Sequence, residues 1–107
     1  MTDLVEKELN RYINFISSLD EVRKIYLFGS HAYGQPHEYS DIDLCIVVSN
    51  EADSRKLSYK IQKGLADRVV PLDVLVNNES VFNDASYRVT LQREIKNKGI
   101  LLYDKSY

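Results

Sequence analysis

Gly29-Ser30-His31-Ala32-Tyr33-Gly34, followed after five intervening residues by Ser40-Asp41-Ile42-Asp43-Leu44, decides the reading of this chain. Arg23-Lys-Ile-Tyr-Leu-Phe28 before it reads as a short buried strand ending at Gly29. Residues 30–33 then read as a first helical turn with Ser30 as its N-cap. Asp41 to Ser49 reads as a second strand. Alternate residues of a strand point the same way, so Asp41 and Asp43 are expected on one face and Ile42, Leu44 and Ile46 on the other. Two carboxylates held that close repel and call for a cation. A glycine-serine turn presents backbone N–H groups to an anion. Carboxylates for metals beside a phosphate cradle are the equipment of phosphoryl or nucleotidyl transfer.

Outward from this stretch the elements alternate. Val5, Leu9, Tyr12, Ile13, Ile16 and Leu19 recur at helical spacing and predict an amphipathic helix over 3–19. Ser54 is read as the cap of a helix reaching about Asp67, with Leu57, Ile61 and Leu65 as its buried stripe. A third strand is expected from Val69 to Val76. A short helical segment near Val81 leads to a helix at about 86–98, with Tyr87, Leu91 and Ile95 as its buried stripe and Gly99 as its end. Ile100 to Tyr103 returns as a short strand or packed tail. Tyr12, Tyr26, Tyr59 and Tyr87 fall at or near expected core positions. Gly34 to Ser40, with Pro36, reads as a loop. His31 is read either as a surface residue or as a phosphate or proton contact. Ser40 is read as a cap of the loop.

Asp73 is the one charge in the apolar run Val69–Val76. An unpaired buried carboxylate costs several kcal/mol, so it needs a cation, hydrogen bonds or solvent. If its strand lies beside Asp41–Ser49, Asp73 joins Asp41 and Asp43 on one face. Such an oxygen-rich set suits Mg²⁺ or Mn²⁺, with phosphate oxygens and water completing the shell.

Composition narrows the setting. At 107 residues and 44% hydrophobic, residues 1–107 are expected to form one domain with one core. Fourteen Lys and Arg against sixteen Asp and Glu give a net charge of −2, which disfavours stable nucleic-acid binding. The single cysteine, Cys45, rules out a disulfide framework and reads as a small buried hydrophobe. Charged residues interrupt the N-terminus, and no apolar run approaches the ~20 residues of a membrane span. The expectation is a cytoplasmic protein with no membrane partner.

Taken in order and spacing, Gly29-Ser30, Asp41-x-Asp43 and the later Asp73 resemble the minimal nucleotidyltransferases of the DNA polymerase beta-type superfamily. The string Gly-Ser-x-Ala-x-Gly, a short loop and Ser-Asp-Ile-Asp-Leu is similar to that of the small prokaryotic members. The likeness extends from about residue 23 to 103. It implies an α/β nucleotidyltransferase fold, with a mixed, largely antiparallel sheet flanked by helices. It implies that Gly29, Ser30 and Ser40 bind the nucleotide. It also implies that Asp41, Asp43 and Asp73 are catalytic and hold two Mg²⁺ ions, with ATP as substrate. The small members resemble type VII-like antitoxins whose partner is a HEPN-family ribonuclease toxin, AMP being transferred to a toxin tyrosine. One position departs from the pattern: many members have Arg where this chain has Tyr33.

Two other functions remain open at this point. The chain could neutralise a toxin by stoichiometric binding without catalysis, although a decaying site would be expected to lose a carboxylate. Alternatively the acceptor could be a small molecule or RNA, although the chain has no obvious second domain to shape such a pocket.

Overall fold

The computed structural model describes residues 2–34 and 40–105. The expected loop residues Gln35, Pro36, His37, Glu38 and Tyr39 lie outside that range. Among the described residues nine elements follow one another: α1 (Asp3–Ser17), β1 (Val22–Phe28), α2 (Ser30–Tyr33), β2 (Ile42–Val48), α3 (Ser54–Gly64), β3 (Leu72–Asn78), α4 (Glu79–Ser86), α5 (Leu91–Lys98) and β4 (Ile100–Asp104). The strands form one sheet in the order β3-β2-β1-β4. β1 runs antiparallel to β2 and β4, while β2 and β3 are parallel through the α3 crossover. The sheet is therefore mixed and mostly antiparallel, as the family likeness implied.

Strand alternation divides the apolar side chains between two faces. Ile25, Leu27, Ile42, Leu44 and Ile46 pack with Leu9, Tyr12 and Ile16 of α1 and Leu57 and Ile61 of α3. On the other face Tyr26, Cys45 and Val47 pack with Phe82 of α4 and Ile95 of α5. The Tyr26 and Phe82 rings stack there with centroids 5.5 Å apart. Helices thus cover both faces, and the carboxylates lie on the α4–α5 side, in line with Cys45 and Val47.

Several expectations are corrected. Ser54 opens α3 but Asp53 caps it, accepting the N–H groups of Arg55 and Lys56 at 3.1 Å. A carboxylate accepts two such bonds and meets the positive end of the helix, which a hydroxyl one residue later cannot do. The helix stops at Gly64, short of Asp67. The short helical segment expected near Val81 is α4, and the helix expected at about 86–98 begins only at Leu91, where Thr90 caps its start through the Arg93 N–H at 3.2 Å. Tyr87 and Leu91 consequently leave the expected stripe and are exposed, while Ile95 is buried. Tyr12 and Tyr26 are buried, but Tyr59 is exposed, leaving the stripe of α3 to Leu57, Ile61 and Leu65.

One polar cluster ties α1 to the segment entering β3. Buried Glu8 accepts from Arg11 Nε and Nη2 at 2.9 Å and from the Val69 N–H at 2.9 Å. Tyr12 has one hydroxyl proton to share between Val70 O at 2.6 Å and Glu8 Oε2 at 3.0 Å. With Arg11 foremost, these donors hold the Glu8 carboxyl down to about 2, while burial opposes them. Pro71 O then accepts the Ile42 N–H at 2.9 Å, so the same segment sets where β2 and β3 begin.

Candidate active site

Register brings the carboxylates together. Asp43 on β2 lies directly beside Asp73 on β3, and Phe28, the residue before Gly29, lies beside Asp43 on the other side. The expected adjacency of the two strands is therefore present, and Asp73 reaches the Asp43 rung. Asp41 sits just before β2 and is exposed, Asp73 is exposed, and Asp43 is half-buried. The strand proper starts at Ile42, one residue after the expected start.

Gly29 makes the closest approach. Its φ of 74° and ψ of −157° lie in a region nearly confined to glycine. A Cβ there would overlap Asp43 Oδ2 and stand 3.0 Å from Asp43 Cγ. The turn's backbone and the Asp43 carboxylate thus occupy adjoining space, which only hydrogen at that position permits. Gly29, not Ser30, caps the single turn of α2, and its carbonyl accepts the N–H groups of Ala32 and Tyr33 at 3.1 and 3.2 Å. The correction follows from conformation, since Ser30 already has helical geometry and a cap must not. The first-turn N–H groups, those of Ser30 and His31, have no carbonyl one helical turn earlier to bond.

His31 adds a contact that sequence reading left open. Its Nε2 lies 3.0 Å from Ser40 O, joining the Gly29–Tyr33 turn to the residue before Asp41. This fixes the proton on Nε2 in the neutral ring, because a carbonyl only accepts. Its Nδ1 is then a lone-pair acceptor, buried and without a hydrogen-bond partner among the described residues. No spacing rule marks such a histidine in a sequence; only the two ends of the loop coming together reveal it.

Electrostatics mark Asp43 as the strained member. Burial raises its pKa, and the Asp73 and Asp41 charges raise it further, with His31 opposing. An ionised Asp43 is therefore disfavoured by its surroundings, and a cation among the carboxylates would relieve that. As the side chains stand, no three His, Cys, Asp or Glu residues among the described ones are gathered so as to hold a metal ion. Asp41 and Asp73 are exposed. The donors are all carboxylate oxygens, the type that hard divalent cations take.

Comparison with known proteins follows the same geometry. The model of the family described as "Polymerase beta, Nucleotidyltransferase" matches residues 10–107.

This chain belongs to the polymerase beta nucleotidyltransferase family.

This nucleotidyltransferase is 31% identical over 100 residues to a Methanocaldococcus jannaschii protein named "Putative protein adenylyltransferase MJ0604", covering 92% of this chain and 97% of that one. The fold is similar to a crystal structure of a "putative nucleotidyltransferase" from Sulfolobus solfataricus, with TM-score 0.63, 18% identity and coverage of 98% and 90%. A toxin–antitoxin structure with AMP-PNP shares the fold at TM-score 0.51 and 19% identity, over 94% of this chain and 74% of that one. Among the described residues of this nucleotidyltransferase, no helix is long and apolar enough to cross a membrane.

Proposed function

We propose that this nucleotidyltransferase transfers AMP from ATP to a tyrosine hydroxyl of a cognate HEPN-family ribonuclease toxin, acting as a type VII-like antitoxin. The observation that carries the chemistry is the register pair Asp43–Asp73 set against Gly29, with Asp41 two residues before Asp43. The protein acceptor is supported by the adenylyltransferase name of the Methanocaldococcus relative and by the toxin–antitoxin structure that shares the fold.

Asp41, Asp43 and Asp73 are the residues that would hold divalent metal, Mg²⁺ or Mn²⁺. Bound there, such ions neutralise phosphate charge and lower the pKa of the attacking hydroxyl. The turn at Gly29 and Ser30 holds the triphosphate through backbone N–H groups, and Ser40 borders it across the His31 bridge. Asp73, on the open side of the pair, takes the proton of the acceptor hydroxyl. The hydroxyl oxygen bonds to the α-phosphorus, the bond to the bridging oxygen breaks, and pyrophosphate leaves. The added adenylate blocks the toxin by its bulk and negative charge.

Intact-mass spectrometry of the neighbour-encoded partner with this chain, ATP and Mg²⁺ tests the reading, with Asp41→Asn alongside. An AMP-sized gain on the partner that the variant abolishes is expected. A stable complex with no gain would instead mean neutralisation by stoichiometric binding, and a gain retained by folded Asp41→Asn would overturn the metal assignment.

A further inference from the structure

The α4–α5 face of the sheet also holds a polar cavity, about 210 Å³ in volume. It opens at the Lys24–Val47 rung, four residues along β2 from Asp43 and so roughly 13 Å away. Three cations line it, Arg23 and Lys24 from β1 and Lys96 from α5, against one lining carboxylate, Glu79 of α4, with Asp104 of β4 bordering it opposite Lys24. That excess of positive charge stands out in a chain whose net charge is −2.

Local backbone geometry creates this grouping. Adjacent strand residues normally point to opposite faces. Here the register slips at Arg23: Val22 lies beside Val48 and Lys24 beside Val47, leaving Arg23 as an extra residue. A bulge of this kind re-aims a side chain, and it lets Arg23 and Lys24 line the same cavity. Without it, one of the two cations would face the core side.

One lining residue also carries a donor with no hydrogen bond. Arg23 Nε is buried and has no hydrogen-bond partner among the described residues. Glu79 Oε1 forms an ion pair with it at 3.6 Å, beyond hydrogen-bond reach, and both side chains are more than 40% exposed. A buried N–H left unpaired is costly, more so on a charged group. An anion seated between Arg23, Lys24 and Lys96 would accept from it. Asn83 and Phe82 of α4 also line it.

We propose that this cavity is a binding site for a small phosphate-bearing anion, separate from the carboxylate site. Donors arriving from three elements suit the several oxygens of a tetrahedral phosphate better than the two coplanar oxygens of a carboxylate. Inorganic phosphate, pyrophosphate and a nucleotide's terminal phosphate share this chemistry. The site stands independently of the acceptor proposed above.

Titration of the full chain with phosphate, pyrophosphate, AMP and acetate, followed by calorimetry and amide NMR in EDTA, tests it. EDTA removes metal-bridged binding at the carboxylates. Saturable binding of at least one phosphate species, tighter than acetate and shifting the Arg23, Lys24 and Asn83 amides, is expected; the tightest species identifies the source. Arg23→Gln and, on exposed α5, Lys96→Gln should each weaken it about tenfold or more. Glu79→Gln should tighten it severalfold, a gain that a merely structural Arg23–Glu79 pair cannot produce. The amides of Gly29 and Ser30 should not shift. The proposal is overturned by equal acetate binding, by no binding, by folded Arg23→Gln and Lys96→Gln proteins that bind as before, or by shifts confined to the Gly29 and Ser30 amides.

Discussion

Replacing Gly29 by alanine separates two costs that the structure places at one atom. The first is conformational: φ of 74° with ψ of −157° is nearly closed to a residue with a side chain, at on the order of 1–3 kcal/mol. The second is steric, because the new Cβ would overlap Asp43 Oδ2 and crowd Asp43 Cγ at 3.0 Å and Asp43 Cβ at 3.2 Å. Relief requires the carboxylate to swing by about 1 Å, since non-bonded heavy atoms rest near 3.5–4.0 Å. A carboxylate misplaced by about 1 Å can cost about 10²-fold in rate where it takes part in the reaction. Urea unfolding followed by far-ultraviolet circular dichroism measures the sum of the two costs. The Asp43→Ala background removes most of the steric part, because Oδ2 and Cγ are gone while the Cβ contact and the backbone strain remain. Gly29→Ala should therefore cost at least about 1 kcal/mol less in that background than in the wild type, a coupling of the size seen between touching residues. Equal costs in both backgrounds would refute the close approach. A wild-type cost below about 0.5 kcal/mol would refute the strained turn as well.

Three further outcomes follow from other residues. Glu8 has a depressed carboxyl in the fold, so its contribution to stability is complete above about pH 4.5 and is lost as pH falls toward about 2. Melting temperature against pH should show that loss, and Glu8→Gln should flatten the curve over the same window while lowering stability at neutral pH. Tyr12→Phe removes the one donor bridging Val70 O and Glu8 and should cost about 1–3 kcal/mol by denaturant unfolding. Cys45 is fully buried, and burial pushes its thiol up to about 12, so a thiol reagent should react only after unfolding; rapid labelling of the native protein would contradict its place in the core.

The recognition of the fold and the residues proposed for chemistry have different physical origins. Hydrophobic periodicity is a local property, so α1 and the runs that become β1, β2, β3 and β4 are legible in the chain, with end errors of a few residues. The alternation that puts Ile42, Leu44 and Ile46 in the core is legible for the same reason. Caps were less legible. Ser30 and Ser54 are residue types that suit a cap, yet Gly29 and Asp53 hold those positions, because capping depends on backbone geometry one residue away. Tyr87 and Leu91 look like part of one continuous helical stripe until the turn before Thr90 divides it.

By itself the sequence determined the alternation of helices and strands, the burial of Cys45 and the family likeness carried by Gly29-Ser30, Asp41-x-Asp43 and Asp73. These depend on composition, spacing and periodicity along the chain. Only tertiary structure decided that Asp73 lies on the Asp43 rung, that Gly29 leaves no room for a Cβ beside that carboxylate, and that His31 reaches Ser40. It likewise decided that a register slip brings Arg23 and Lys24 into one cavity with Lys96. Each of these depends on strand register or on contact between distant segments, and a one-residue shift that leaves local pattern almost untouched sends a side chain to the opposite face.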